Sequence, residues 1–154
     1  MIAVSERAAD SPDVRTMRTD VRTMRINLER DPRAPSLARA AMAGFIEKSR
    51  VATTELATLT LLVSELVSNA VLHSDAPPAS GIELCAHVLE RGAVRVEVID
   101  RGSGFIASPR DPTRAHGGYG LFLVEQQATR WGVDREGGTR VWFELTSTPR
   151  TESA

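Results

Sequence analysis

Cysteine is nearly absent. Cys85 is the only one in 154 residues, which excludes an internal disulfide and a cysteine-rich zinc site. It falls in an alternating apolar stretch, so a buried, inert thiol is expected. Long apolar runs are missing too. No stretch of ~18 apolar residues occurs, and the N-terminal "MIAVSERAADSPD" lacks the continuous apolar core of a signal peptide. Together these absences point to the cytoplasm and away from a membrane. Charge of one sign is also lacking. The net charge is −1, so nothing draws the chain electrostatically to nucleic acid or anionic lipid. Lysine is scarce: of 19 basic residues only Lys48 is lysine, a bias that a GC-rich genome imposes without any functional cause.

Several site signatures are missing as well. Lys48 precedes Ser49 but has no glycine loop in front of it, so a P-loop is excluded. No Gly-x-Gly-x-x-Gly opens a βαβ unit, which disfavours a dinucleotide site. His73, His87 and His116 have no metal-ligand spacing to Cys or to each other. No Gly-x-Ser-x-Gly elbow is present.

What is present fits one globular domain, with 42% hydrophobic and 25% charged residues. Residues 1–20 are polar and poorly patterned and are expected to form a disordered tail. A folded domain is expected over 21–147 and a short C-terminal tail over 148–154. "VRTMR" occurs twice, at Val14–Arg18 and Val21–Arg25, too few copies for a repeat architecture. The second copy leads into Met24, Ile26 and Leu28, which alternate with polar residues and predict a strand. Asp31-Pro32 and Pro35 then mark a turn before a helix over about Ser36–Ser49. A second helix is expected from Thr53 or Thr54 to His73, with a broad apolar face from Leu56 to Val71. "IELCAHVLERGAVRVEVID" reads as a hairpin turning at Arg91-Gly92. "LFLVEQQATRW" reads as a helix, and strands are expected over Gly132–Glu136 and Thr139–Thr146. This order, with strands that alternate, predicts an α+β fold: a two-layer sandwich with helices on one face of a mostly antiparallel sheet.

Three glycine clusters surround one irregular segment: "DRGSG" (Asp100–Gly104), "GGYG" (Gly117–Gly120) and "GGT" (Gly137–Thr139). Any one of them alone is what a turn needs. Glycine also permits close approach of backbone to a ligand, and "GGYG" lies directly before a helix, whose free N–H groups can cradle phosphate. On the second helix Glu65, Asn69 and His73 follow at four-residue intervals and share a face. A wet helix face would explain that row. Asn69, however, is flanked by Val67, Ala70 and Val71, at the boundary of the core. His73 in a last helical turn can also simply satisfy carbonyls.

"SELVSNAVLHS", "DRGSGF", "GGYGLFLVEQ" and "GGTRVWFEL", in this order, resemble the Bergerat-fold ATPases, and within them the small bacterial anti-sigma-factor serine kinases. The resemblance spans about Met24 to Leu145. It implies the histidine-kinase-like ATPase fold, with ATP and Mg²⁺ bound. By that resemblance Asn69 coordinates the Mg²⁺ and Glu65 is the general base. Asp100, in a motif with Gly102 and Gly104, holds the adenine amino group. Gly118, Gly120 and Leu121 close a lid over the phosphates, and Gly138-Thr139 lies near the adenine. The physical chemistry is compatible. An Asn oxygen is a hard, neutral ligand suited to Mg²⁺, and a carboxylate that only accepts would repel the carbonyl of guanine. The segment Phe105–His116, with Arg110, Arg114, Pro109 and Pro112, is expected to act as a lid that brings Arg114 to the phosphates.

The resemblance further implies an ATP-dependent serine/threonine kinase that phosphorylates an anti-sigma-factor antagonist and sequesters a sigma factor, with a homodimer as precedent. A nucleotide-responsive binding regulator without kinase activity is the alternative. Glu65 favours the kinase, because a sensor needs no base. Direct nucleic-acid binding is not expected.

Overall fold

The structure is a computed structural model, and it describes residues 5–6, 14–19, 22–51, 55–102 and 119–146. In chain order its strands and α-helices are β1 (Ser5–Glu6), β2 (Val14–Thr19), β3 (Thr23–Leu28), α1 (Ala34–Ser49), α2 (Leu56–His73), β4 (Ile82–Val88), β5 (Val94–Asp100), α3 (Tyr119–Gln127), β6 (Arg130–Asp134) and β7 (Thr139–Leu145). The strands form one seven-stranded sheet in the order β1-β2-β3-β4-β5-β7-β6, with every pairing antiparallel. The helices pack on one face, which is the two-layer α+β arrangement expected from the sequence.

Alternation places the core. Met24, Ile26 and Leu28 of β3 point inward, as do Val94, Val96 and Val98 of β5 and Val141, Phe143 and Leu145 of β7. Against them α1 buries Ala38, Met42, Phe45 and Ile46, and α2 buries Leu59, Leu62, Val63, Leu66, Val67 and Ala70. By length and mean hydropathy, 1.4 over 18 residues, α2 could cross a membrane. In this fold its apolar side is instead spent on the sheet and α1.

The outward face of the central strands carries charge in pairs. Arg95 lies 3.1 Å from Glu97 and 3.1 Å from Glu144, and its guanidinium stacks 4.1 Å from the Trp142 ring centroid. Arg130 and Arg140 extend the network to Glu144 and Glu97, at 3.8 and 3.9 Å. Cys85 also faces outward, opposite Arg25 and Glu97, yet it is only 1% exposed. Burial, reinforced by the Glu83 carboxylate 3.5 Å from Sγ, pushes its thiol up to about 12, as befits an inert cysteine.

Several elements differ from their sequence expectation: β1 lies in the expected tail, α1 begins at Ala34 and α2 at Leu56, and three further differences have a visible cause. Val14–Thr19 lies in the segment expected to be a disordered tail, but it forms strand β2. The lone edge of β3 would expose a row of unpaired backbone groups, and the first "VRTMR" copy fills it. The register sets Arg18 opposite Arg25, the fifth residue of each copy, while Met17 and Val14 of the first copy face Ile26 and Leu28, beyond the second copy. Second, α3 ends at Gln127 rather than continuing to Trp131, because the Thr129 N–H donates to the Glu144 carbonyl and starts the pairing with β7. Third, β6 starts and stops two residues earlier than expected. The Asp134 side chain accepts the Glu136 N–H at 3.1 Å and turns the chain there. At the start of α1, Asp31 accepts the Arg33 N–H at 2.7 Å, which holds its carboxyl below the usual range.

Candidate functional site

Three apolar rows each carry one polar side chain. The inward row of β5 runs Val94, Val96, Val98 and then Asp100, which is 2% exposed. The inward row of β7 begins with Thr139 and continues through Val141, Phe143 and Leu145. The buried side of α2 runs from Leu59 to Ala70 and includes Asn69 at 4% exposed. Among the described residues these three are the only buried polar or charged side chains. All three were singled out by the sequence.

Register brings two of them together. Asp100 is the last residue of β5 and lies directly opposite Thr139, the first of β7, and opposite Ile82 of β4 on its other side. Both therefore sit at one end of the central strands.

Each of the three keeps an atom without a hydrogen-bond partner among the described residues: Asn69 Nδ2, Asp100 Oδ2 and Thr139 Oγ1. Arg30 Nη1 and Ser49 Oγ share that property, but their residues are only half-buried. A buried polar atom left unpaired costs on the order of 1–3 kcal/mol, and folds remove such costs unless something else uses the atom. A ligand edge that brings donors and acceptors fits these atoms. The Asn69 amide can present oxygen or nitrogen by a half-turn of its terminal torsion, so a metal-binding orientation is open to it.

The other oxygen of Asp100 is fully engaged. Oδ1 accepts the Ser74 hydroxyl at 2.7 Å and the Gly102 N–H at 2.8 Å. The Ser74 oxygen in turn accepts the Ala76 N–H at 3.0 Å. Gly102 passes so close to Ser74 and Ala76 that a Cβ on it would lie 2.9 Å from Ser74 Oγ and 3.0 Å from the Ala76 nitrogen. A side chain there would push the loop off Asp100. Gly138 has φ +134° and would drive a Cβ to 2.5 Å from the Asp100 carbonyl, so only glycine lets the β6–β7 turn close on the end of β5. Ser74, the residue after α2, was not singled out by the sequence. Its one visible sign is that a hydroxyl follows the last helical residue.

The remaining candidates fall as follows. Glu65 lies one turn before Asn69 on α2 and is half-buried; His73 is exposed at the end of the helix. The Leu121 side chain is fully buried in the core, so what it can offer a ligand is backbone at the start of α3. Gly120 lies in α3. Gly104, Arg114, Gly118 and the expected lid Phe105–His116 lie outside the described residues.

Comparison with known proteins identifies the family of this fold. The sequence profile of the histidine kinase-like ATPase domain matches residues 28–145. The anti-sigma F factor of Geobacillus stearothermophilus is 34% identical over 100 residues, which cover 64% of this chain and 63% of that protein. The anti-sigma F factor of Bacillus cereus (strain G9842) is 35% identical over 100 residues, with the same coverage. The chain thus spans less than two thirds of the length of these curated relatives. Among solved structures, the crystal structure of the RsbU and RsbW domains of a Mycobacterium tuberculosis protein is similar with a TM-score of 0.65 and 25% identity, over 84% of this chain and 33% of that one. That profile covers more than half of the chain, and the chain therefore belongs to the histidine kinase-like ATPase family.

Proposed function

We propose that this chain is an ATP-dependent protein serine/threonine kinase and a cytoplasmic anti-sigma factor. It phosphorylates an anti-sigma-factor antagonist and sequesters a sigma factor away from transcription. The observation that carries the reading is the set of unpartnered buried atoms on Asn69, Asp100 and Thr139, three residues that the family's ATP-site motifs single out. The names of the curated relatives supply the anti-sigma role.

In this reading residues 21–147 form the ATP-binding domain. Asp100 and Thr139 take the adenine edge, and Asp100 Oδ2 accepts from the amino group. Asn69 holds Mg²⁺ through its amide oxygen. Gly118, Gly120 and Leu121 bind the phosphates; of these, Gly120 and Leu121 lie at the start of α3, where helix N–H groups favour negative charge. Arg114 brings a cation to the same phosphates, and Gly102 and Gly104 let the chain pass close to the base. Bound Mg·ATP supplies the phosphoryl group and the neutralised charge that its transfer needs. Glu65 accepts the proton from the antagonist's serine or threonine hydroxyl as that oxygen bonds to phosphorus and ADP departs. Two chains pair as a homodimer.

Incubating the protein with γ-labelled ATP and the antagonist-like proteins of its host tests the reading. Label on a serine or threonine of one such protein is expected. Saturable ATP binding with no transfer to any of them would leave a binding regulator and overturn the kinase.

A further inference from the structure

We propose that Ser74 is a positioning residue for adenine selectivity. It acts by turning the Asp100 carboxylate so that one oxygen alone is left for the base. The proposal rests on the reading of Asp100 as the adenine acceptor.

The geometry fixes the direction of each hydrogen bond. The Ser74 oxygen accepts the Ala76 N–H at 3.0 Å. Its proton goes to Asp100 Oδ1 at 2.7 Å, since a carboxylate can only accept. The Gly102 N–H adds a second donor to the same oxygen at 2.8 Å. Two donors on Oδ1 and none among the described residues on Oδ2 make the two carboxylate oxygens unequal. Rotation of the carboxylate about its terminal torsion would break both bonds, so its orientation is set before a base arrives. That is preorganisation: an acceptor held in place costs nothing to orient on binding. Oδ2 suits a donor, such as the 6-amino group of adenine, and opposes an acceptor, such as the 6-carbonyl of guanine.

Ser74 also joins two parts of the site. It is the first residue after α2, the helix that carries Glu65 and Asn69, and its backbone is extended, at φ −69° and ψ 136°. The Ser74–Asp100 bond therefore ties the end of that helix to the end of β5. A hydroxyl is required for this; alanine lacks one, and threonine carries one.

The test measures binding of ATP, GTP and purine riboside triphosphate, which lacks the 6-amino group, to the full-length native chain, Ser74→Ala and Ser74→Thr. Thermal midpoints are recorded without nucleotide. The native chain is expected to prefer ATP to both other nucleotides. Ser74→Ala should lose about tenfold in ATP affinity, the lower end of what a charged hydrogen bond confers, and keep its affinity for purine riboside triphosphate. Ser74→Thr should restore the preference for ATP. Loss of affinity for all three nucleotides in proportion to a fallen thermal midpoint would make Ser74 merely structural and overturn the proposal. So would a Ser74→Ala protein that still prefers ATP as the native chain does. A native chain that binds ATP and purine riboside triphosphate equally would instead overturn the adenine role of Asp100, and the proposal with it.

Discussion

The two faces of the central sheet treat polar groups in opposite ways. On the outward face Arg95 meets Glu97 and Glu144 and lies against Trp142, and Arg130 and Arg140 meet the same two carboxylates. Every one of these charges has a partner, and their side chains keep some contact with water. On the inward face the same strands are apolar until Asp100 and Thr139, which are more deeply buried and each keep an atom without a partner among the described residues. The paired charges cost the fold little and lend it modest stability. The buried, unpaired ones destabilise it, and such groups persist where a ligand completes them. Whether a polar group finds a partner among the described residues thus separates the part of this sheet that holds the fold from the part proposed to meet a ligand.

Substitutions can break that contrast, and the largest effect is expected beside the inward site. Glu65→Gln keeps the size of the side chain but removes the proposed base, so phosphoryl transfer should slow by roughly 10²–10⁴-fold while Mg·ATP affinity stays near native. Single-turnover transfer from labelled ATP, with affinity measured separately, checks both halves. Next in size, Asp100→Asn should weaken ATP binding by about 1.5–3 kcal/mol, because a charged acceptor is lost; calorimetric titration reads it.

The sharpest form of the comparison comes from two substitutions of opposite sign. Arg95→Ala removes two ion pairs and the Trp142 stack. It should lower stability by roughly 1 kcal/mol in denaturant unfolding and leave ATP binding unchanged. Thr139→Val removes a buried hydroxyl that has no partner among the described residues. It should raise the stability of the nucleotide-free protein by about 1 kcal/mol and weaken ATP binding by a similar amount.

The smallest effect at neutral pH belongs to Cys85. Its folded thiol titrates at about 12 against an ordinary 9.0, so the neutral form is favoured by folding. The stabilisation is complete below the unfolded value and is lost as pH rises from about 9 towards about 12, where only the unfolded chain ionises. Cys85→Ala should remove that part of the alkaline slope in denaturant unfolding, and the native thiol should resist alkylation until the chain unfolds.

The candidate site's centre was legible in the sequence because its motifs resemble those of a known ATPase family, and the structure shows why its polar residues stand out: they interrupt regular patterns. Asp100 falls on the inward beat of "VRVEVID", where the preceding beats are all valine. Thr139 follows two glycines that only a tight turn would need. Asn69 falls within the apolar face of a helix that is otherwise a core element. Ser74 interrupts no pattern, and its proposed role depends on a contact with a residue 26 positions away, so sequence reading passed it by. The same limit applies to β2. Its residues are as polar as a tail, and only the unpaired edge of β3 makes a strand of them. The early end of α3 likewise depends on a backbone bond from Thr129 to Glu144, which helical periodicity cannot reveal.

The most direct measurement follows the Asn69 side-chain amide by NMR while the native protein is titrated with Mg·ATP, and in parallel with Mg·GTP. If the three unpartnered groups form the ATP site, the Asn69 amide signal moves saturably with Mg·ATP and far less at the same concentrations of Mg·GTP. An Asn69 signal unmoved at saturating Mg·ATP, or one that titrates identically with both nucleotides, would contradict it.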